Sequence, residues 1–492
     1  MSSLVRLAQL GLVCLSIAGN ALCAGGIFTF PLISPALATH LKLTQPQLTT
    51  IVLAGMVGQY PFAAIVGKCI DKYGPWACSL IASILFSSSF GSFSLEIAKT
   101  ADDVLQPSAS SFQRLTVFFF MAGLGTVFSY FSALFAASKN FPDYIGVASG
   151  ATMALFGLSP LFLSVIASTF FTNPDAGLQV SSYLMCLAVL VGLVNLCGAV
   201  ILRSSKKSVQ DREESGAETS QQVQDVEEPD ERAPLLPGKA PTATIDVSTV
   251  DEGATVVDLL KNRHFWVLVM ITLLVCGACE MIMSNTGSIV LSLPQSSNPG
   301  MKVTSFQRSG TDVATSAQVR LLSLANTISR LFFGPLADYI SPVASYLPSG
   351  ERAFPRQHFI SRVAFLSLSS MLLAITLFSV QLNVRTQADL WLLSVGTGMT
   401  YGTTFTVLPS IISSIWGLSN MARNFGILSY APFIGTPLFS YLYAFVATSH
   451  APDNGICQGA SCWRFTFWVA TGASIVAFCG SLYLWREWKG RL

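Results

Sequence analysis

Long apolar runs separated by short polar segments dominate the chain. Each run holds about 20 residues, the length that a helix needs to cross the hydrocarbon core of a bilayer. Twelve runs are predicted: 7–30, 48–66, 76–95, 115–137, 145–171, 183–202, 265–290, 317–337, 359–380, 390–412, 425–446 and 465–484. The pattern therefore predicts an all-α integral membrane protein with twelve transmembrane helices.

A polar segment divides these runs into two sets of six. Residues 203–256 are rich in Ser, Gln, Glu, Asp and Pro and contain almost no aromatic residues. A segment of this composition cannot bury an apolar core, so we predict a disordered linker. The chain then comprises an N-terminal six-helix bundle (1–202), the linker, and a C-terminal six-helix bundle (257–492) related to the first by pseudo-symmetry.

The composition agrees with a membrane protein and adds an orientation. Hydrophobic residues make up 51% of the chain and charged residues 11%, whereas soluble domains are about 25% charged. The formal net charge of +2 gives no reason to expect a nucleic-acid partner. Basic residues are about twice as frequent in the loops on the side of the N-terminus, so both termini and the linker are predicted to be cytosolic.

A short polar segment after the second run is repeated after the eighth. The segment 67–74 is predicted to be a tight turn, with the acid Asp71 beside the base Lys72. Gly334 and Asp338 recur with the same spacing after the eighth run. A repeat of this kind after equivalent apolar runs indicates an internally duplicated membrane protein.

These segments carry a family resemblance. The repeated Gly-x-x-x-Asp resembles the loop between spans 2 and 3 of the major facilitator superfamily, and residues 19–30 resemble the first span of nodulin-like facilitators. Residues 140–146 and 157–160 are similar to the start of their fifth span. The whole chain resembles the fungal monocarboxylate transporter homologues. The resemblance implies a carrier with a central site between two bundles that rock against each other.

The resemblance also assigns a gate. Many facilitators keep an Arg before the second Gly-x-x-x-Asp, and Arg330 holds this place. Proton-linked monocarboxylate permeases carry an acid one helical turn before that Arg, where this chain has Asn326. Arg330 is therefore a gate residue or an anion-binding residue. The gate residues implied are Gly67, Asp71, Lys72, Arg330, Gly334 and Asp338.

Glu280 is the strongest candidate for chemistry. It lies near the middle of the seventh run, among apolar and small residues. A carboxylate at that depth costs about 2.5–3.5 kcal/mol and needs a partner, a cavity or a proton. We favour a role in proton-coupled transport, and a structural hydrogen bond to a neighbouring helix is the alternative.

Four uncharged polar residues accompany Glu280 as candidates for the substrate site. Asn20, Tyr130, Asn285 and Tyr401 lie in spans 1, 4, 7 and 10, which line the central cavity in the family that the chain resembles. If the site lies between the bundles, Asn20 and Glu280 should face one cavity. For each of the four, hydrogen bonding between helices is the alternative.

The function that follows is secondary active transport of a small solute, with an organic anion as one option and proton coupling as another. No catalytic constellation, cofactor motif or zinc spacing is recognised, so we expect neither an enzyme nor a bound metal. The alternative is a transport-inactive receptor or sensor with the same fold. The expected partners are a small-molecule substrate and the lipid bilayer, with the protein as a monomer.

Two loop motifs concern location and stability. Glu231 precedes the pair Leu235 and Leu236 in the linker, which resembles an acidic dileucine signal read by clathrin-type adaptors. We predict the vacuolar membrane, with the plasma membrane as second choice. Cys457 and Cys462 flank a short loop predicted to face away from the cytosol, where a disulfide is permitted.

Overall fold

The computed structural model describes residues 3–100, 108–141, 145–173, 177–220, 256–294, 305–341, 345–346, 352–353, 360–416, 421–452 and 457–488. Helices account for most of these residues, as the apolar runs predict. Two antiparallel two-stranded hairpins complete the regular structure.

The first bundle contains spans 1 to 6, and two of its spans are interrupted. Span 1 consists of α1 (Ser3–Cys23), a 3₁₀ turn (Ala24–Thr29) and α2 (Phe30–His40), and span 2 consists of α3 (Gln45–Gln59) and α4 (Ala63–Tyr73). The remaining elements are α5 (Pro75–Lys99), α6 (Ala109–Asn140), α7 (Ile145–Phe170), β1 (Thr172–Asn173), β2 (Gly177–Leu178) and α8 (Val180–Ser220).

The second bundle contains spans 7 to 12. Its elements are α9 (Val256–Lys261), α10 (Arg263–Ser292), α11 (Ser305–Ile340), β3 (Ser345–Tyr346), β4 (Arg352–Ala353), α12 (Val363–Asn383), a 3₁₀ turn (Gln387–Leu390), α13 (Trp391–Trp416), α14 (Met421–Leu428), α15 (Tyr430–Ser449) and α16 (Ser461–Glu487). Span 11 is again interrupted, between α14 and α15.

The all-α membrane fold is confirmed. Within the described ranges, nine helical segments are long and apolar enough to cross a membrane. The other three spans are the interrupted span 2, α11 and α13, which carry more polar residues along their length. Separate clusters of buried apolar side chains fill the two bundles, although Val319 of α11 joins the cluster of the first.

Two predicted boundaries differ from the structure. Helix α8 continues past residue 202 to Ser220, because the residues that follow are mostly Lys, Gln, Glu, Ser and Arg, several of which favour helix. The segment 67–74 is helical up to Tyr73, and only Gly74 makes the turn, with φ of 94°. Val66 and Ile70 bury one face of α4, which explains why the helix persists.

The two ends of the molecule are given names here. The terminal face is the end at which α10 begins and α16 ends, and the distal face is the opposite end, at which α10 ends. The terminal face carries Arg263 at the start of α10 and Glu487 at the end of α16, whose charged atoms lie 3.9 Å apart. In the first bundle, Arg203 lies over the ring of Trp76 at the start of α5, 5.0 Å from its centroid. Val13 of α1 packs in the same cluster as Trp76, so the first part of α1 also lies on the side of the first bundle where α5 begins.

The distal end of α10 is anchored by two loops. The backbone N–H of Gly459 donates to the carbonyl oxygen of Ser292 at 2.7 Å. The side-chain amide of Gln387 donates to the carbonyl of Leu293 at 3.0 Å. A disulfide joins Cys457 and Cys462 on either side of Gly459, with a Cα–Cα distance of 5.9 Å. The orphan carbonyls at this helix end are thus satisfied by the α12–α13 and α15–α16 loops.

Candidate functional site

The interruption of span 2 brings an unexpected tyrosine to the middle of the protein. Helix α3 ends at Gln59, and Pro61 follows Tyr60. Proline has no N–H for the helix ladder and clashes with the carbonyl four residues earlier, so the helix is broken here. Tyr60 therefore sits at the break, where its hydroxyl reaches across to α10.

The carboxyl group of Glu280 is the centre of the site. The side chain has no exposed surface. Its Oε1 accepts hydrogen bonds from the hydroxyls of Tyr60 and Tyr401, the latter at 2.9 Å, and its Oε2 accepts one from Thr436 at 2.5 Å. In the part of the chain that the structure describes, no basic side chain forms an ion pair with Glu280. Three hydroxyl donors thus take the place of a counter-ion.

These donors come from both bundles. Tyr401 lies on α13 and Thr436 on α15, both in the same bundle as Glu280. Tyr60 belongs to the first bundle, so its hydrogen bond crosses the interface. The chemistry of the site therefore depends on how the two bundles sit against each other.

Arg330 lies close to the same interface. Its Nε donates to Oδ1 of Asn326 at 3.0 Å, and its guanidinium lies 6.0 Å from the ring centroid of Phe405. Phe405 in turn packs against Tyr401, with 4.6 Å between ring centroids. Among the described side chains, no carboxylate forms an ion pair with Arg330. The aromatic pair thus connects the surroundings of Arg330 with those of Glu280.

Of the four uncharged candidates, three lie along the interface. Tyr401 contacts Glu280 directly. Asn285 accepts a hydrogen bond from the amide of Gln45 at 2.9 Å, which also joins the two bundles. Tyr130 packs against Phe156 in a tilted arrangement, with ring centroids 4.5 Å apart, and lies near Arg330 of the second bundle.

Asn20 is not part of this site. Its amide donates to the hydroxyl of Ser79 at 2.9 Å, inside the first bundle. A β-carbon on Gly198 of α8 would lie 2.6 Å from its Oδ1. The side chain is therefore held between α1, α5 and α8. The prediction that Asn20 and Glu280 face one cavity is wrong, because span 1 turns this residue towards its own bundle.

The predicted gate residues are only partly described. Lys72 is exposed, with its ammonium group 5.2 Å from the ring centroid of Tyr73. Gly67 has open space around it, and a β-carbon on Gly334 would meet the methyl group of Thr406 at 3.3 Å. The side chains of Asp71 and Asp338 lie outside the described residues, as does the whole of the motif formed by Glu231, Leu235 and Leu236. Their roles remain predictions.

The bundles meet on the distal side. Thr50 and Tyr441 share a hydrogen bond of 3.0 Å between their hydroxyls. A β-carbon on Gly287 would lie 2.1 Å from the carbonyl oxygen of Pro31. Further hydrogen bonds join Gln45 to Asn285, Arg320 to Ser164 and Ser168, and Ser323 to Gly157 and Leu161. Among the described residues, the hydrogen bonds that join the bundles lie on the distal side or, like that between Tyr60 and Glu280, near the middle of the protein, so we name this a distal-closed conformation.

Sequence reasoning missed two of the three residues that bind Glu280. Tyr60 lies in an apolar run and does not stand out there, yet Pro61 after it indicates a helix break at mid-membrane depth. Thr436 is flanked by Pro432 and Pro437, which also mark a bent span. In both cases, proline near the centre of a span was the available signal.

Comparison with known proteins agrees with this architecture. Residues 15–350 match the family model of the Major Facilitator Superfamily. A protein of Gibberella zeae named "Probable transporter MCH1" is 28% identical, over 96% of this chain and 88% of the relative. A protein of the same name from Debaryomyces hansenii is 25% identical, over 86% and 82%.

Solved structures are similar in fold alone. The crystal structure of a D-xylose–proton symporter has a TM-score of 0.60 with 12% identity, covering 97% of each chain. The xylose transporter XylE of E. coli, in a partially occluded inward-open conformation, has a TM-score of 0.59 with 12% identity, covering 97% of this chain and 99% of that one. These two solved structures share the arrangement of helices described above.

Proposed function

Because the chain belongs to the major facilitator superfamily and is a transporter of that fold, we propose that it carries a small organic anion together with a proton by alternating access. The observation that carries this proposal is the buried Glu280, which is bound by hydroxyls from both bundles and has no basic partner among the described side chains. A charged carboxylate at this depth is costly, and binding a proton removes the charge.

Arg330 supports an anion as the cargo. It is half-buried, lies 6.0 Å from the ring centroid of Phe405 and near Tyr130, and, among the described groups, donates only to the neutral Asn326 of its own helix. A guanidinium presents a planar fork of donors that suits a carboxylate. Since no described acid pairs with it, its remaining donors are available to a ligand. This observation favours the anion-binding role of Arg330 over its role in the gate.

The two groups complement each other in charge. A monoanion that binds Arg330 and a proton that binds Glu280 together add no net charge to the carrier. The rings of Tyr401 and Phe405 lie between the two groups, so both ligands would occupy one region of the interface. Co-transport of the two would therefore be electroneutral for a monoanion.

Uptake into proteoliposomes tests the proposal. The purified protein is reconstituted and offered a panel of radiolabelled mono- and dicarboxylates, with an imposed pH gradient. We expect Glu280→Gln to reduce gradient-driven uptake by at least about tenfold, because the amide keeps the size of the side chain but cannot ionise. Arg330→Gln should raise the KM for the anion.

Glu96→Gln is the matched control. Glu96 is an acid at the distal end of α5, paired with Arg114 at 2.6 Å and remote from Glu280. The same chemical change there should leave uptake intact. Full gradient-driven uptake by the Glu280→Gln protein would exclude proton coupling through this residue, and uptake confined to neutral solutes would exclude the anion.

We also propose residence in the vacuolar membrane. Its support is the sequence motif of Glu231, Leu235 and Leu236, which resembles a sorting signal recognised by adaptor complexes. A tagged protein with both Leu235→Ala and Leu236→Ala should move to another membrane. Vacuolar location of that double variant would show that the motif plays no part in sorting.

A further inference from the structure

The three hydroxyls that bind Glu280 do not belong to one body. Tyr401 and Thr436 lie on α13 and α15, which pack with α10 in the second bundle. Tyr60 lies at the break between α3 and α4 of the first bundle. When bundles move as units, contacts within a bundle persist and contacts between bundles are exchanged.

The distal contacts show which motion separates Tyr60 from Glu280. Helix α3, which ends beside Tyr60, is held against α15 by the hydrogen bond between Thr50 and Tyr441 and against α10 by that between Gln45 and Asn285. Opening of the distal face must break both bonds and draw α3 away from the second bundle. Tyr60 is at the end of this helix and moves with it.

We propose that Tyr60 is a positioning residue that links the protonation of Glu280 to the conformation of the carrier. Its hydroxyl stabilises the ionised carboxylate in the distal-closed state and leaves it when the distal face opens. This proposal rests on the proposed function, since it assumes that Glu280 carries the proton.

Glu280 should bind its proton more tightly in the distal-open state than in the distal-closed state. With all three donors in place, the ionised form of Glu280 is better stabilised in the distal-closed state than in the distal-open state, so the proton leaves more readily in the distal-closed state, towards the terminal face. With Tyr60 withdrawn, the two remaining donors stabilise the charge less, so a proton is taken up from the distal side. A single hydrogen bond to a charged group corresponds to roughly a tenfold to hundredfold difference in proton binding between the states.

The titration of Glu280 can be distinguished from that of the groups around it. The titratable side chains that face it are Tyr60 and Tyr401, and the thiols of Cys276 and Cys279 lie on its own helix. Helix α15 contributes only the hydroxyl of Thr436. Arg330 of α11 interacts electrostatically with Cys276, which lies one helical turn from Glu280 on α10. Among these described groups Glu280 is the only carboxyl, so its infrared C=O band can be assigned by loss in Glu280→Gln.

The experiment is an infrared pH titration of the whole protein in two defined conformations. The distal-closed state is locked by a bifunctional thiol reagent between Thr50→Cys and Tyr441→Cys, in a background whose free cysteines are replaced. The distal-open state is favoured by Gly287→Leu, because a side chain there meets the backbone of Pro31. Labelling of Gln45→Cys in the Gly287→Leu protein verifies the open state.

Tyr60→Phe and Tyr401→Phe form a matched pair, since both hydroxyls bind the same oxygen of Glu280. In the parent protein, the midpoint of the band should lie about one to two pH units higher in the open state than in the locked state. Tyr60→Phe should abolish this difference, whereas Tyr401→Phe should change both midpoints and keep the difference between them.

The experiment distinguishes a failure of proton coupling through Glu280 from a failure of the role assigned to Tyr60. If the Glu280 band of the parent protein does not titrate in either state, the proposed proton coupling itself is overturned. If the band titrates and Tyr60→Phe keeps the full difference between the states, Tyr60 is not the link, while proton coupling through Glu280 stands. A difference that disappears in Tyr401→Phe as well would likewise overturn the assignment to Tyr60.

Discussion

Asn20 and Glu280 occupy the middles of spans 1 and 7, which are equivalent in the two halves, but their surroundings differ. Asn20 is buried between α1, α5 and α8 and bonds to Ser79 of its own bundle. Glu280 is equally buried, yet one of its donors, Tyr60, comes from the other bundle. Equal depth and equal burial therefore do not imply equal roles.

The difference lies in which contacts survive a conformational change. A side chain whose partners all belong to one bundle keeps them throughout the transport cycle and stabilises the fold. A side chain with partners in both bundles experiences a changing environment, and only such a residue can couple a bound proton to movement. Asn20 is of the first kind and Glu280 of the second.

The largest effect should come from placing an acid in the Asn20 site. Asn20→Asp is nearly isosteric but buries a carboxyl beside the single hydroxyl of Ser79, at a cost of about 2.5–3.5 kcal/mol. We expect a sharp loss of folded protein in size-exclusion and thermal-unfolding measurements. Asn383→Asp, at the exposed end of α12, is the control. A stable Asn20→Asp protein would show that this site resembles that of Glu280 after all.

The second effect concerns glycines at close helix contacts. Gly287→Ala should weaken distal closure, because the new methyl group meets the backbone of Pro31 in the other bundle. Overpacking of this kind costs about 1–3 kcal/mol, so the population of distal-open molecules should rise about fivefold or more, as measured by labelling of a distal cysteine.

Gly435 provides the matched comparison for Gly287. A β-carbon there would lie 2.4 Å from the carbonyl oxygen of Leu273, on a helix of the same bundle. Gly435→Ala should therefore lower the melting temperature without changing distal labelling. Equal labelling of the two variants would contradict the division between contacts within a bundle and contacts between bundles.

A smaller effect is expected when Ser79 is removed. Ser79→Ala leaves the Asn20 amide without its acceptor and the Asn195 carbonyl without its donor, at a cost of about 1–3 kcal/mol. Thermal unfolding should show this loss, while uptake per folded molecule stays unchanged. Ser88→Ala, an exposed serine of α5 that bonds only within its helix, should alter neither quantity.

The smallest effect is expected at a carboxylate outside the membrane. The backbone N–H groups of Arg385 and Thr386, with the Thr386 hydroxyl, hold the pKa of Asp389 below its usual value. A lowered pKa means that its contribution to stability is complete above about pH 4 and is lost only as the pH falls through the lowered value.

Asp389→Asn should accordingly change stability by no more than about 0.5 kcal/mol, with no dependence on pH between about 5 and 8. Thermal unfolding across that range checks it. A pH-dependent difference between the variant and the parent near neutrality would contradict the assigned direction of the shift.

The sequence predicted the membrane spans well because the hydrophobicity of each span can be read from the chain itself. Runs of membrane length and a polar central segment required no knowledge of contacts. Burial of an acid at the centre of span 7 was equally readable, since Glu280 is conspicuous among apolar residues. These predictions depend on composition along one helix.

The direction in which a side chain points was not predictable in the same way. Asn20 faces Ser79 within its own bundle, although its depth matches that of Glu280. Tyr60 reaches Glu280, 220 residues away in the sequence, from a helix break. Such features depend on the packing of whole helices, which a single sequence does not display.

The two loops that hold the distal end of α10 have a mechanical consequence. Gly459, beside the disulfide, and Gln387 each bond to the last carbonyls of this helix. A helix whose end is held by two loops moves together with them, so a force on the α15–α16 loop acts on the whole of α10. A protein that binds this loop from the distal side would therefore slow transport without entering the site.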